Sequence, residues 1–190
     1  MSLRLPTLET DRLIIRDFAP GDFETVHRIL DQEDAFGEGA SAEDRRHWFD
    51  WSIMNYKAFA SLYQPPWGDR AVTLKNTGEV VGVVGYTTMF HPLTDIMEGK
   101  RVGNAKWHPE MGLFWVVTQK HRGNGYAEEA ARALIDYAFK HFNLKRIVAT
   151  TDFDNKASQA VMKKLGMALH ENHEGVPDWF EVLGVLENEA

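Results

Sequence analysis

The chain has 190 residues, 44% apolar and 26% charged, with 21 Lys and Arg against 28 Asp and Glu for a net charge of −7; that length predicts one domain, residues 1–190, with a full core. The acidic balance excludes nucleic acid as the main partner and leans toward a cationic substrate. There is no cysteine, hence no disulfide, zinc–thiolate site or cysteine nucleophile, no apolar run near the roughly 20 residues that span a bilayer, and no apolar leader at the start, so a cytoplasmic protein free of membrane and of metal is expected.

Residues 13–18 read as a first strand. Ala19-Pro20-Gly21-Asp22 is a turn, and Asp22 caps a helix running to about Leu30. Residues 33–40 are acidic and glycine-containing, a loop. Ser41-Ala42-Glu43-Asp44 resembles a capping box that starts a second helix through about Leu62, and Pro65-Pro66-Trp67-Gly68 stops it. That helix is rich in aromatics, and its Trp48, Trp51, Met54 stripe has the spacing of a core face more often than of a pocket. Residues 70–74 are a strand, Asn76-Thr77-Gly78 a hairpin turn, and residues 79–90 the next strand. Residues 92–109 form a long connection carrying Lys100, Arg101 and Lys106. Residues 110–118 are a strand, and residues 127–142 an amphipathic helix with Ala130, Ala131, Leu134, Ile135, Ala138 and Phe139 on one stripe. A β-branched strand follows at 146–151. Asp154-Asn155 opens a short helix that ends at Leu165-Gly166, a glycine cap. Strands at 167–172 and 179–186 close the chain. No repeat or linker interrupts this order, which predicts a mixed α/β sheet in one domain.

The segment between the strand at 110–118 and the helix at 127–142 is the most informative. Gln119-Lys120-His121-Arg122-Gly123-Asn124-Gly125-Tyr126-Ala127 places two glycines, one residue apart, just before a helix. Backbone N–H groups and the positive end of the helix dipole then face one point, and an anion belongs there. Glycine allows the sharp turn and lets a phosphate approach the backbone. Arg122 adds a fixed charge with a fork of donors. A dinucleotide-binding turn would need a third small residue further on than Ala127, and a P-loop would need Gly-Lys-Ser/Thr entering the helix; neither pattern fits.

Three segments in order carry a family resemblance: Glu9-Thr10-Asp11-Arg12-Leu13-Ile14-Ile15-Arg16, then Arg122-Gly123-Asn124-Gly125-Tyr126-Ala127, then residues 155–166 from Asn155 through Lys164 to Gly166. On these residues nearly the whole chain resembles the GNAT superfamily, the acyl-CoA-dependent N-acyltransferases. The first segment resembles the opening of the branch containing the ribosomal-protein-alanine acetyltransferases. The second is similar to the coenzyme A pyrophosphate loop. The third is similar to the segment after the next strand. The resemblance implies a mixed, mostly antiparallel sheet flanked by helices, whose two parallel central strands, 110–118 and 146–151, splay apart. Pantetheine is then expected along the backbone of Phe114, Trp115, Val116 and Val117, with the pyrophosphate on Arg122, Gly123, Asn124, Gly125, Tyr126 and Ala127. Asn155 would reach the pantetheine or hold the adjacent loop, although asparagine is also a common helix cap. Lys164, Lys120 and His121 are further phosphate candidates. The first two helices would form one wall of the acceptor site, so Trp48 and Trp51, with Trp67 and Tyr86, suggest a partly apolar acceptor channel.

The implied activity is transfer of an acetyl group from acetyl-CoA, as co-substrate, to a primary amine, preferably a peptide or protein N-terminus. A small-molecule amine (polyamine, amino acid or antibiotic) and a catalytically silent acyl-CoA-binding domain are the alternatives, in a monomer or a homodimer. An amine attacking a thioester must lose a proton, needs donors for the oxyanion and needs its thiolate stabilised on leaving. No covalent enzyme intermediate is required when both substrates bind together. By resemblance Glu110, at the start of the thioester strand, is the first choice for the base, ahead of Asp178 or Glu181; His108 reads as loop surface. Many relatives carry a tyrosine on the helix after Asn155. Met162 stands there and cannot donate a hydrogen bond; the resemblance to the ribosomal-protein branch, where serine occupies this helix position, implies Ser158 as the donor to the thiolate, while a small helix residue bonding a backbone carbonyl is the alternative reading.

Overall fold

The computed structural model describes residues 4–33, 39–100 and 106–189. They divide into two units, residues 1–87 with 114–134 and residues 88–113 with 135–190.

In the first unit the strands pair in chain order. β1 (Leu8–Glu9) lies antiparallel to β2 (Leu13–Arg16), with Leu8 opposite Ile15. β2 lies antiparallel to β3 (Gly68–Leu74), with Leu13 opposite Leu74. β3 pairs with β4 (Val80–His91) through the turn expected at 76–78, where the Gly78 N–H reaches Leu74 O at 2.8 Å. The second half of β5 (His108–Val117) ends beside β4, the Thr118 N–H donating to Val81 O at 2.9 Å. α1 (Phe23–His27) loosens into a π-helical turn at Arg28–Glu33, and α2 (Ala42–Ser61) begins where its capping serine predicts, with Ser41 Oγ accepting from the Asp44 N–H. These helices pack Phe18, Phe23, Ile29, Phe49 and Tyr56 onto Ala71, Val83 and Val116 of the strands. Phe18 and Phe49 stack at 5.1 Å.

Asp31 fastens this helical pair. Both its oxygens take the Arg45 fork at 2.7 Å, one also accepts from the Ala40 N–H at 2.8 Å, and His27 lies 2.8 Å from the other. Burial pulls the Asp31 carboxyl upward, but the Arg45 fork, the Ala40 N–H and His27 outweigh it and set it at about 2, against an ordinary 3.8.

In the second unit the end of β4 leads to α3 (Leu93–Met97), a helix too short for its periodicity to show in sequence. The first half of β5 lies parallel to β6 (Arg146–Thr151), Gly112 opposite Val148. β6 and β7 (Ala168–Glu171) flank β8 (Val182–Glu187), both antiparallel to it. α5 (Lys156–Leu165) runs from an Asn155 cap to Gly166, whose φ of +89° is the left-handed cap its sequence predicts. Leu93, Ile96, Val148, Phe180, Leu183 and Val185 form the core. The last part of α4 (Tyr126–Phe142) belongs to this unit, its first part to the other. The result is the expected α/β fold with a mixed sheet and one parallel pair, β5 with β6. β1, α3 and the π-helical turn are additions to the elements read from sequence.

Asp31→Asn is expected to destabilise the protein by about 3 kcal/mol, because it leaves the Arg45 guanidinium buried without its charge partner. A carboxyl lowered on folding stabilises above its unfolded value and loses that contribution as pH falls toward the folded one. The wild-type advantage in denaturant unfolding should therefore be complete at pH 7 and shrink from about pH 4 toward pH 2, the interval between the two values.

Candidate active site

The glycine loop sits in the first unit. A short 3-10 turn at Gln119–His121 follows β5, Arg122 is extended, and Gly123 and Gly125 take φ of +78° and +80°. Only glycine holds two such positions cheaply. The first helical bond of α4 runs from the Glu129 N–H to Gly125 O at 3.0 Å. The N–H groups at the start of an α-helix point out along its axis, here toward the loop. Asn124 Nδ2 donates to His121 O at 3.1 Å and to Arg122 O at 3.3 Å, and Arg122 Nε folds back onto Val117 O at 3.3 Å. The two-glycine turn expected from sequence is thus present, with the carbonyls of Val117, His121 and Arg122 bonded by side chains of the loop.

The neighbours of that loop are less free for phosphate. Lys120 is paired with Glu79 at 3.2 Å, and His121 Nδ1 lies 2.8 Å from Thr118 Oγ1. On β5, Phe114 and Val116 pack toward the helical core, Val117 is buried and Trp115 is half-buried.

The aromatic acceptor candidates of this unit separate. Trp48 is half-buried under the Arg45 guanidinium, 4.6 Å from its carbon, and edge-on to Phe18. Trp51 is 51% exposed, edge-on to Phe59, and Met54 is exposed too; the buried face of α2 is instead Phe49, Ser52 and Tyr56. Tyr86 is wholly buried and its hydroxyl donates to Leu134 O at 2.6 Å, so its polar end is spent on α4 and it does not line a channel.

In the second unit Glu110 is 13% exposed and lies between Arg146 Nε at 3.2 Å and the His108 imidazole, Nδ1 at 3.1 Å; Arg146 also pairs with Glu187 at 2.9 Å. His108 is thus a partner of Glu110 and not loop surface. Asn155 caps α5 by accepting from the Ser158 N–H at 3.0 Å, which brings the two candidates together through the cap. Met162 is wholly buried, close against Gly184, so the position where relatives carry a tyrosine is core here. Lys164 is exposed on α5. Asp178 is exposed, and Glu181 is engaged by the Phe153 N–H at 2.6 Å. Lys100 pairs with Glu98, Lys106 is exposed, and Arg101 lies outside the described residues. Among the described residues no group of three His, Cys, Asp or Glu is arranged to hold a metal, and no helix is long and apolar enough to cross a membrane.

Three groups escaped the sequence reading. Thr10, Arg12 and Glu129 bind one another beside the loop. His91 is wholly buried against Phe180 and Trp179, and burial, with the charge of His108, lowers its imidazole to about 4. Asp69 faces Gly85, and burial raises its carboxyl to about 6 against the pull of Arg70 and Arg45. Only the first touches a segment that the sequence singles out, residues 9–16, and nothing in that segment announces the contact with Glu129.

A family model described as an acetyltransferase (GNAT) domain matches residues 12–168. Among curated relatives, the uncharacterized N-acetyltransferase YnaD of Bacillus subtilis is 30% identical over 167 residues, 84% of this chain and 81% of its own length. YoaA of the same organism, also described as an uncharacterized N-acetyltransferase, is 28% identical over 162 residues, 85% of this chain and 82% of its own. Among solved structures, an acetyltransferase from Agrobacterium tumefaciens matches with a TM-score of 0.70 at 26% identity, covering 96% of this chain and 95% of that one. Two further structures share the fold at 15% identity. One is RimL, a ribosomal L7/L12 alpha-N-protein acetyltransferase in complex with coenzyme A, at TM-score 0.64 with 95% and 97% covered. The other is the spermidine N-acetyltransferase SpeG of Vibrio cholerae, at 0.60 with 94% and 95% covered.

Gly125→Val should weaken coenzyme A binding at least about tenfold, because a branched side chain at a φ of +80° strains the turn that the N–H groups of the loop depend on. Calorimetric titration with coenzyme A reads this directly, and unchanged affinity would remove the cradle assignment.

Proposed function

We propose that this chain, which belongs to the GNAT acetyltransferase family, carries the acetyl group of acetyl-CoA to a peptide or protein N-terminal amine by direct attack while both substrates are bound. The observation that carries the reading is the cradle. Two glycines of positive φ, Arg122 and the start of α4 turn backbone donors toward one point, where a pyrophosphate has what it needs. The family match runs through both units, which supports residues 1–190 acting as one N-acetyltransferase domain. The peptide acceptor draws support from the likeness of residues 9–16 to the ribosomal-protein branch and from RimL among the structures sharing the fold. SpeG favours the second reading, a polyamine or other small amine. A cytoplasmic location goes with either acceptor.

In this reading the pantetheine lies along Phe114, Trp115, Val116 and Val117, and a backbone N–H of that strand donates to the oxyanion. Glu110 accepts the proton of the ammonium, directly or through one water, with Arg146 and His108 fixing its aim. The amine nitrogen forms the new C–N bond, the C–S bond breaks, and the coenzyme leaves as a thiolate that takes a proton. Ser158, oriented by the Asn155 cap, is the donor toward that sulfur. Asn155 holds this corner, and Lys164 and Arg122 meet phosphate. Trp48 and Trp51 flank the acceptor.

Release of free coenzyme A from acetyl-CoA across a panel of short peptides, polyamines, amino acids and aminoglycosides tests the acceptor. Turnover with peptides of one N-terminal type is the expected result; turnover with polyamines alone replaces it by the second reading. Binding without release from any amine marks an acyl-CoA-binding domain. Glu110→Gln should lower kcat about a hundredfold at neutral pH and erase the acidic limb of the pH profile. An unaltered profile removes Glu110 as the base. Ser158→Ala should slow turnover roughly tenfold while leaving coenzyme affinity in place; lost affinity alone would make Ser158 a binding group.

A further inference from the structure

Beside the cradle stands a second arrangement that the transfer chemistry does not use. Arg12, in the turn between β1 and β2, spends its guanidinium in two directions. Nε and Nη2 take one oxygen of Glu129 at 2.7 and 2.6 Å, while Nη1 donates to Asn124 O at 3.0 Å. The same guanidinium lies 4.7 Å from the centre of the Tyr126 ring. Its backbone is pinned as well: the Arg12 N–H reaches the other Glu129 oxygen at 3.0 Å, and Arg12 O accepts from the Lys75 N–H at 2.9 Å. Thr10 completes the knot. Its hydroxyl accepts from the Leu13 N–H at 2.9 Å, and so turns its own proton to Glu129, 2.5 Å away.

We infer that Arg12, held by Glu129 and Thr10, is a positioning residue for the pyrophosphate of the coenzyme: it grips Asn124 O and thereby aims the Gly125 N–H into the cradle. The argument is one of peptide geometry. The C=O of Asn124 and the N–H of Gly125 belong to one planar trans unit and point in opposite directions. A cation on the carbonyl side fixes where the N–H goes. Asn124 Nδ2 does the same for the Arg122–Gly123 peptide, two units earlier, by taking Arg122 O, which turns the Gly123 N–H the opposite way. The loop is aimed from behind before the anion arrives, and the ordering that binding would otherwise cost is already complete.

Arg12 has a second effect. Glu129 lies in the first turn of α4, where a carboxylate suits the helix dipole but repels an incoming phosphate. Burial pulls Glu129 upward, but Thr10 and Arg12 outweigh it and keep it ionised, and the bidentate arginine neutralises it at the loop. Lysine carries the charge but has no planar fork to reach Glu129 and Asn124 together.

The inference rests on the cradle reading, and one series of titrations separates the two. Wild type, Arg12→Met, Arg12→Lys, Glu129→Gln and Gly125→Val are titrated with coenzyme A and with pantetheine, which lacks the pyrophosphate, and each is checked by thermal melting. Arg12→Met should weaken coenzyme A about tenfold, the net size of one charge-assisted hydrogen bond, and leave pantetheine within twofold of wild type. Arg12→Lys should recover only part of that loss. Equal losses for both ligands would make Arg12 a prop of the fold and overturn the inference. Unchanged coenzyme A affinity in Arg12→Met, with Gly125→Val still weakened, would overturn it and leave the cradle standing; unchanged affinity in both removes cradle and inference together. If Arg12→Met does not fold, Glu129→Gln carries the test, with a loss of about threefold confined to coenzyme A expected, and no loss or an equal one counting against.

Discussion

A backbone that offers its N–H groups to a ligand has to dispose of its carbonyls elsewhere, because the two ends of a planar peptide point apart. Residues 119–129 are organised around that constraint. The positive φ values of Gly123 and Gly125 reverse the local direction of the chain so that successive N–H groups face one side. Carbonyls in and beside the loop find donors: Asn124 Nδ2 takes those of His121 and Arg122, Arg122 Nε takes that of Val117, and Arg12 takes that of Asn124. The cradle is therefore not a property of its glycines alone. It needs β1, β2 and the first turn of α4 in register, and those elements have the pairings that give it: Leu8 opposite Ile15, Leu13 opposite Leu74, and Glu129 bonded to both Thr10 and Arg12.

What was legible in the sequence and what was not divides along the same physical line. Strand, glycine pair and helix could be read because each leaves a local mark: a β-branched run, residues that alone tolerate positive φ, an amphipathic stripe. The caps could be read for the same reason, with Ser41 on α2 and Asn155 and Gly166 on α5 standing where their types predict. The brace behind the cradle could not, since Thr10 and Arg12 lie 119 and 117 residues from Glu129 and nothing local announces the contact. α3 is one helical turn, too short to show a period, and the π-helical turn at 28–33 leaves no compositional trace. Tyr86 shows a further limit. An aromatic residue in a strand reads alike whether it faces a pocket or a helix, and only the partner of its hydroxyl, Leu134 O, decides. The same limit split the α2 stripe: Trp48 is half-buried while Trp51 and Met54 are exposed, although their spacing is that of one face.

The acid surplus was a weaker guide than it looked. A net charge of −7 suggests a surface that attracts cations, yet the carboxylates at structured positions are largely spent on arginine. Asp22 takes the Arg16 fork at 2.6 and 3.0 Å, Asp31 that of Arg45, Glu110 faces Arg146, and Glu129 holds Arg12. Such pairs are matters of folding and aim. What they leave over is distributed among exposed carboxylates whose field is screened within about a Debye length of 8–10 Å. Net charge thus bears on solubility and on the approach of an acceptor more than on the choice of one.

Donor and acceptor recognition are encoded differently in this chain, and that difference explains why one is easier to argue than the other. The proposed pyrophosphate cradle is made of main chain, so its requirements are conformational, and few residue types meet them. The roles proposed for Glu110, Ser158 and the aromatic residues of α2 would be played by side chains, and depend on what each touches. Glu110 between Arg146 and His108 is a carboxylate with a fixed direction and a neighbouring imidazole, an arrangement suited to passing a proton and equally one that pins the start of β5 to β6. Met162, which has no hydrogen to donate, is sealed into the core, and a hydroxyl stands one turn earlier, on a helix whose cap already orders the Ser158 backbone. A change of acceptor needs only a few such side chains to be redrawn, while the cradle and its arginine brace stay as they are.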